Sequence, residues 1–225
     1  SGLQDTINVL NDADIIYGLN EHTATYTTDS GIVIGIVSAN LLAADEKHAN
    51  YIRDGIKSLR DEGADLVIAS CHWGIEGDHY PNSYQQEMAH QVIDWGADVL
   101  IGSHPHVLQG VELYNGKVIC YSLGNFCFGG NRNPKVKDTA IYQQTFTFSD
   151  GILQKDISAD IIPCTISSTT ARNDFQPTVA EGERKQAILD DMNDYSKPYS
   201  QAGFDSSGKP VSYTHLRAHE TGAYL

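Results

Sequence analysis

The order of elements along the chain predicts an α/β fold, a layered sandwich rather than an all-parallel sheet. Helical and strand-like periodicities alternate through the first half of the chain, and hairpin signatures come after them. The apolar run Val99-Leu100-Ile101 then opens directly into Gly102-Ser103-His104-Pro105-His106. Open α/β sheets place their ligands just past the carboxyl ends of strands, so the same reading that predicts the fold also predicts where function sits.

Leu3, Ile7 and Leu10 recur at helical spacing, so residues 1–14 read as a helix. Thr23 to Thr28, the turn Asp29-Ser30-Gly31 and Ile32 to Ala39 predict a β-hairpin. Ile52, Ile56 and Leu59 form the apolar stripe of a helix from Asp45 to Glu62, which Gly63 ends. A strand is expected from Asp65 to Ser70. Ser83-Tyr84-Gln85-Gln86 resembles a capping box and opens a helix that carries Met88, Ala89, Val92 and Ile93 toward one side and closes at Gly96. The strand to Ile101 comes next. Val111 to Tyr114, Asn115-Gly116 and Lys117 to Ser122 give the clearest hairpin, because Asn-Gly favours the turn that matches strand twist. Thr139 to Ser149, Asp150-Gly151 and Ile152 to Pro163 predict another, and residues 180–195 a polar helix.

At 225 residues the chain is long enough for one domain with a sizeable core. Hydrophobic residues make up 40%, and no run approaches the roughly 18 apolar residues of a membrane span. The formal charge is −14 with only 15 Lys and Arg, which discounts nucleic acid as a partner. An anionic substrate would need local cations, and bound metal ions would supply them. Cys71, Cys120, Cys127 and Cys164 form no C-x-x-C pair, and three of them read as buried free thiols in strand-like runs.

His104 and His106 are two apart in an expected extended loop, so both imidazoles project to one side. Pro105 supports this by favouring extended geometry at the residue before it. His72 stands in the same relation to the run Leu66-Val67-Ile68-Ala69. Three histidines at the ends of neighbouring strands suit Zn, Mn or Fe. They form one catalytic metal site with an open position, the histidine half of a two-metal site, or structural caps on the strands. His22, His48, His79 and His90 cluster with nothing and read as satisfied core or surface groups. Trp73 gives an aromatic wall next to His72, and Glu76 either orients an imidazole or is a solvated loop acid. Ser122-Leu123-Gly124-Asn125-Phe126 ends a third strand, where Gly124 and Asn125 fit either close approach to a ligand or an ordinary turn.

These pieces run in a recognisable order: His72-Trp73-Gly74 with Glu76, then Pro81 and Gln85, Gly96-Ala97-Asp98, Gly102 through Gln109, and Tyr121-Ser122-Leu123-Gly124-Asn125-Phe126. Together they resemble the CapA family of poly-γ-glutamate capsule synthesis proteins, within the calcineurin-like metallophosphoesterase superfamily. The resemblance covers residues 1–195, and Asp138-Thr139 and Gln143-Gln144-Thr145-Phe146 also look similar to some members. It implies a four-layer αββα sandwich holding two divalent ions (Mn, Fe or Zn), with His72 and His104 on one metal and His106 on the other. Trp73, Glu76, Ser103, Gln109 and Asn125 would contact substrate or orient the ligands. The superfamily's Asp-x-His, Gly-Asp-x-x-Asp/Asn and Asn-His elements do not occur here. The family places them upstream, so the chain is expected to be the C-terminal portion of a longer protein, with its catalytic residues ahead of Ser1. With three neutral imidazoles and no aspartates it is expected to bind metal poorly and to be inactive alone.

By domain, residues 1–165 are expected to be the C-terminal part of the metallophosphoesterase-like domain, 166–198 an extension with the polar helix, and 199–225 a disordered tail. The stretch 211–225 looks like translated sequencing-adapter DNA, so His215 and His219 are set aside. The resemblance implies a metal-dependent hydrolase of capsule or envelope polymer, or a non-catalytic accessory subunit for its synthesis, export or anchoring. It also implies a bacterial cell-surface or membrane-anchored location. The expected partners are an anionic polymer or phosphoester substrate and membrane-bound polymer synthase subunits.

Overall fold

The computed structural model describes residues 21–127, 131–155, 158–199 and 202–212. The helix expected over 1–14 and the pair His215 and His219 lie outside the described residues. The fold is mixed α/β, as the element order predicts. The main sheet contains β1 (His22–Thr27), β2 (Val33–Asn40), β3 (Leu66–His72), β4 (Val99–Ser103), β5 (Val111–Tyr114) and β6 (Lys117–Cys120), in the order β1-β2-β3-β4-β6-β5. Strands β2, β3, β4 and β6 run parallel, while β1 and β5 pair antiparallel at the two edges. Helix α1 (Glu46–Asp61) connects β2 to β3, and α2 (Ser83–Asp94) connects β3 to β4.

Side-chain caps start α1 and α2. The Asp45 carboxylate caps α1 by accepting from the His48 N–H at 3.0 Å. Beyond α1, Gly63 takes φ +93°, a left-handed conformation that glycine adopts without strain. The capping box of α2 is real but begins one residue earlier than the sequence pattern suggests. Asn82 is the N-cap, and the side chain of Gln85 accepts back from the Asn82 N–H at 3.1 Å. The spacing Asn-x-x-Gln carries the same signal as Ser-x-x-Gln, and Asn82 wins because its carboxamide reaches Gln85 N at 2.9 Å.

Period-two alternation sends the strand residues to two cores. Val67, Ala69, Cys71 and Trp73 join Leu100, Ile119 and Tyr121 against Ile52 and Ile56 of α1 and Met88 and Val92 of α2. Val99, Val118 and Cys120 belong to the second core, with Ile161, Ile188, Leu189 and Met192. Each such fully buried aliphatic side chain contributes about 2 kcal/mol. That second core is built on β7 (Asp138–Thr145), which pairs antiparallel with β10 (Ser158–Thr165). Between them, β8 (Phe148–Ser149) and β9 (Ile152–Leu153) form a separate tip at a different register, so the expected long hairpin is interrupted rather than continuous. A short β11 (Thr178–Val179) lies on β10.

Helix α3 (Gly182–Ser196) is polar in composition, yet it buries Ile188, Leu189, Met192 and Ser196. The Ser196 hydroxyl accepts from the Val111 N–H at 2.8 Å, which ties α3 to the edge of the main sheet. Within the stretch expected as a disordered tail, β12 (Ala202–Phe204) and β13 (Pro210–Ser212) form an antiparallel ribbon. Phe204 is buried there, and its N–H donates to the Asn193 side chain at 2.7 Å. The tail reading is corrected over 202–212 because these backbone groups are paired. No helix among the described residues is long and apolar enough to cross a membrane.

Candidate metal site at the ends of the parallel strands

Two parallel strands deliver the histidines. His72 is the last residue of β3 and sits in register with Ser103, the last residue of β4. β3 therefore runs three residues, and β4 two, past the apolar runs that predicted them. The Ser103 hydroxyl lies 3.3 Å from His72 Nδ1 and 3.5 Å from the Cys71 carbonyl oxygen, so it holds the imidazole by its δ nitrogen. The backbone is pinned here as well, since the Trp73 N–H donates to the Ser103 carbonyl at 3.1 Å.

His104 and His106 do converge, though not through an extended loop. His104 has φ +101° and His106 φ +60°, both in the region that L residues rarely occupy. The restriction imposed by Pro105 is overridden by the surrounding contacts, among them the Gly77 N–H donating to the Pro105 carbonyl at 2.8 Å. Strained backbone of this kind costs roughly 1–3 kcal/mol per residue and collects at functional sites. The result is a compact array. The His72 and His104 rings meet edge to face with centroids 4.7 Å apart, and the His104 and His106 centroids are 5.9 Å apart.

Glu76 completes the group. Its Oε1 lies 3.9 Å from His106 Nε2, and ligand atoms of Glu76, His104 and His106 all fall within 4.8 Å of one another. Among the described residues this is the one such cluster able to hold an ion. His72 stands beside it, against the His104 ring, rather than within it. Glu76 reaches the cluster because Gly74 and Gly77 turn the backbone with φ +85° and +79°.

Asn125 fixes the orientation of the His106 ring. Its carboxamide donates through Nδ2 to the His106 carbonyl at 3.1 Å, which fixes Oδ1 toward His106 Nδ1 at 2.7 Å. With the amide so placed, Nδ1 donates to the Asn125 oxygen and Nε2 is the nitrogen that faces Glu76. Burial, then the neighbouring His104 and His106, hold His72 below the ordinary imidazole range. Burial also lowers His104, with Glu76 pulling the other way and His106 adding to the decrease. Imidazoles beside a carboxylate are a mixed nitrogen and oxygen donor set, which fits a divalent transition ion.

Two expected site residues serve the core instead. Trp73 is fully buried, and its indole N–H donates to the Tyr121 carbonyl at 2.9 Å, so it is not a wall facing ligand. Gly102 passes so close that a Cβ would fall 2.0 Å from that carbonyl oxygen and 2.5 Å from Trp73 Nε1. Gln109 is also fully buried. It accepts from Gln85 at 2.9 Å and donates to the Asp78 carbonyl at 2.9 Å, a staple across the turn that carries Glu76. His79 and His90, expected as satisfied core or surface groups, have local partners. His90 meets Glu112 at 2.9 Å and stacks on Tyr114, while His79 meets the Leu108 carbonyl at 2.9 Å and stacks on Tyr195. Cys71, Cys120 and Cys164 are buried free thiols, and burial pushes all three upward in pKa.

The model of the bacterial capsule synthesis protein family PGA_cap matches residues 1–130, more than half of the chain. The chain belongs to this family. The PGA biosynthesis protein CapA of Bacillus subtilis is 48% identical over 80 residues, covering 36% of this chain and 21% of that protein. The capsule biosynthesis protein CapA of Bacillus anthracis is 32% identical over 163 residues, 63% of this chain and 39% of that one. A probable polyglutamine synthesis accessory protein of Mycobacterium tuberculosis is 24% identical over 199 residues, 74% and 52% respectively. The chain thus spans from about a fifth to about half the length of these relatives.

Proposed function

We propose that this protein acts in the synthesis of a glutamate capsule or related cell-envelope polymer, through a metal site of phosphoesterase type. The observation that carries the reading is the Glu76, His104 and His106 cluster at the carboxyl ends of parallel strands, in a chain of the capsule synthesis family. In this reading the fold is the αββα metallophosphoesterase sandwich. Glu76, His104 and His106 would hold a divalent ion (Mn, Fe or Zn), with His72 beside them against the His104 ring. Asn125 and Ser103 orient the rings. The expectation of poor metal binding rested on three neutral imidazoles, and the Glu76 carboxylate adds the anionic donor they lacked. The chemistry such an ion supplies is polarisation of a phosphoryl oxygen and acidification of water. The greater length of the relatives leaves room for further carboxylate ligands. Cell-envelope location and contact with membrane-bound synthase subunits belong to the same reading.

A second reading, an accessory subunit without catalysis, is favoured by the name of the mycobacterial relative. Calorimetric titration with Zn²⁺ and Mn²⁺ separates them. Micromolar binding is expected, weakened at least tenfold in Glu76→Gln and in His106→Ala. Phosphodiester turnover that falls in the same variants supports the hydrolase. Binding without turnover in the full-length protein supports the accessory subunit. Absence of ion binding in the unmutated full-length protein removes the metal site from both.

A further inference from the structure

A cleft of about 480 Å³ is lined among others by Asn133, Lys135, Lys137, Asp138, Thr170 and Arg184. Its charge is opposite to that of the whole chain, with three cations to one carboxylate in a protein of net charge −14. Arg184, in the first turn of α3, pairs with Asp138. Lys137 donates to the Thr170 carbonyl at 2.7 Å, which leaves two ammonium hydrogens for another acceptor. Lys135 is exposed and has no ionic partner among the described residues.

Asp138, which lines the cleft, and its neighbour Thr139 meet the segment that leads to Asn125. The Thr139 hydroxyl donates to the Leu123 carbonyl at 2.8 Å, and the Asp138 carbonyl oxygen lies 3.0 Å from where a Cβ on Gly124 would stand. The next residue, Asn125, is the one that orients His106.

We propose that this cleft is a binding subsite for a carboxylate-bearing acidic polymer. The inference rests on the reading above that the protein handles a glutamate polymer, and it names where that polymer is held. It also answers how so acidic a protein holds a polyanion. Repulsion from distant carboxylates is screened over about 8–10 Å at physiological salt, so the local cations decide.

The test is fluorescence anisotropy with a labelled γ-linked decaglutamate, using the intact chain and a chelator to silence any metal. Binding is expected, weakened about tenfold by Lys135→Glu and further by adding Lys137→Gln, as for charge reversal in a complementary patch. Lys155→Glu, an exposed site outside the cleft, is expected to bind as the parent does. Lys135 is exposed, so its variant keeps the test sound if Lys137→Gln folds poorly. No binding by the parent, equal binding by Lys135→Glu, or equal loss in Lys155→Glu overturns the proposal. So does inorganic phosphate bound in a Lys135-dependent way when the decaglutamate is not. Retained binding in His106→Ala upholds the cleft even where the metal reading fails, whereas loss there moves the polymer to the histidines and overturns it.

Discussion

Asp98 and His104 flank the same five-residue strand, one immediately before β4 and the other immediately after it, and they are opposites. Asp98 is 3% exposed and fully engaged: it accepts from the Val67 N–H at 2.8 Å and pairs with both Arg60 and Lys117. Arg60 is in turn spread over the carbonyls of Ala64 and Gly96, each at 2.8 Å. His104 is half-buried on left-handed backbone, and its imidazole makes ring contacts but no hydrogen bond among the described residues. A saturated polar cluster fastens the sheet. An unsaturated one, held in place at a cost in backbone strain, retains lone pairs for something else.

That contrast can be broken from either side. The largest effect is expected for Asp98→Ala, which strands two cations and a backbone amide. It should lower unfolding free energy by about 3 kcal/mol in urea denaturation, a value below that of a fully buried pair because Arg60 and Lys117 are partly exposed. Metal affinity of the folded fraction should stay the same. His104→Gly should do the reverse, raising stability by about 1 kcal/mol as the left-handed strain is relieved. Metal binding should meanwhile fall at least tenfold. A loss of stability in that variant would show that His104 packs rather than strains.

The smallest effect concerns pH. His72 and His104 are held below the ordinary imidazole range, chiefly by burial. The unfolded chain therefore takes up protons that the folded site refuses, and stability declines as pH falls through the ordinary histidine range toward the folded values. Thermal melts of the metal-free protein from about pH 8 to about pH 5 should show this slope, and His104→Gly should flatten it. An identical slope in both proteins would place the titration elsewhere.

Much of this architecture was legible in the sequence because it rests on periodicity. The Ile52, Ile56 and Leu59 stripe and the Asn115-Gly116 turn each encode their element locally. The histidine pair was legible for a related reason, since the end of a strand fixes the position of the residues just beyond it. Glu76 was harder. It reaches the cluster through a loop shaped by Gly74 and Gly77 and by a bond to Pro105, contacts that no period announces. Trp73 was a misreading with a visible signal. It continues the alternation Val67, Ala69, Cys71, which places it on the core face opposite in phase to His72. Gln109 gave no comparable sign, because its burial depends on pairing with Gln85, a residue 24 positions away.

The hydrogen atom that stands for a side chain at Gly102 sets a tolerance for everything beyond it. The Tyr121 carbonyl and the Trp73 indole close around that position with no room for one more carbon. A methyl group there would act as a shim, wedging β4 away from its neighbours and displacing Ser103, His104 and His106 downstream. The gauge of the histidine cluster is thus cut by an atom too small to be called a part of it, two residues before the first imidazole it positions.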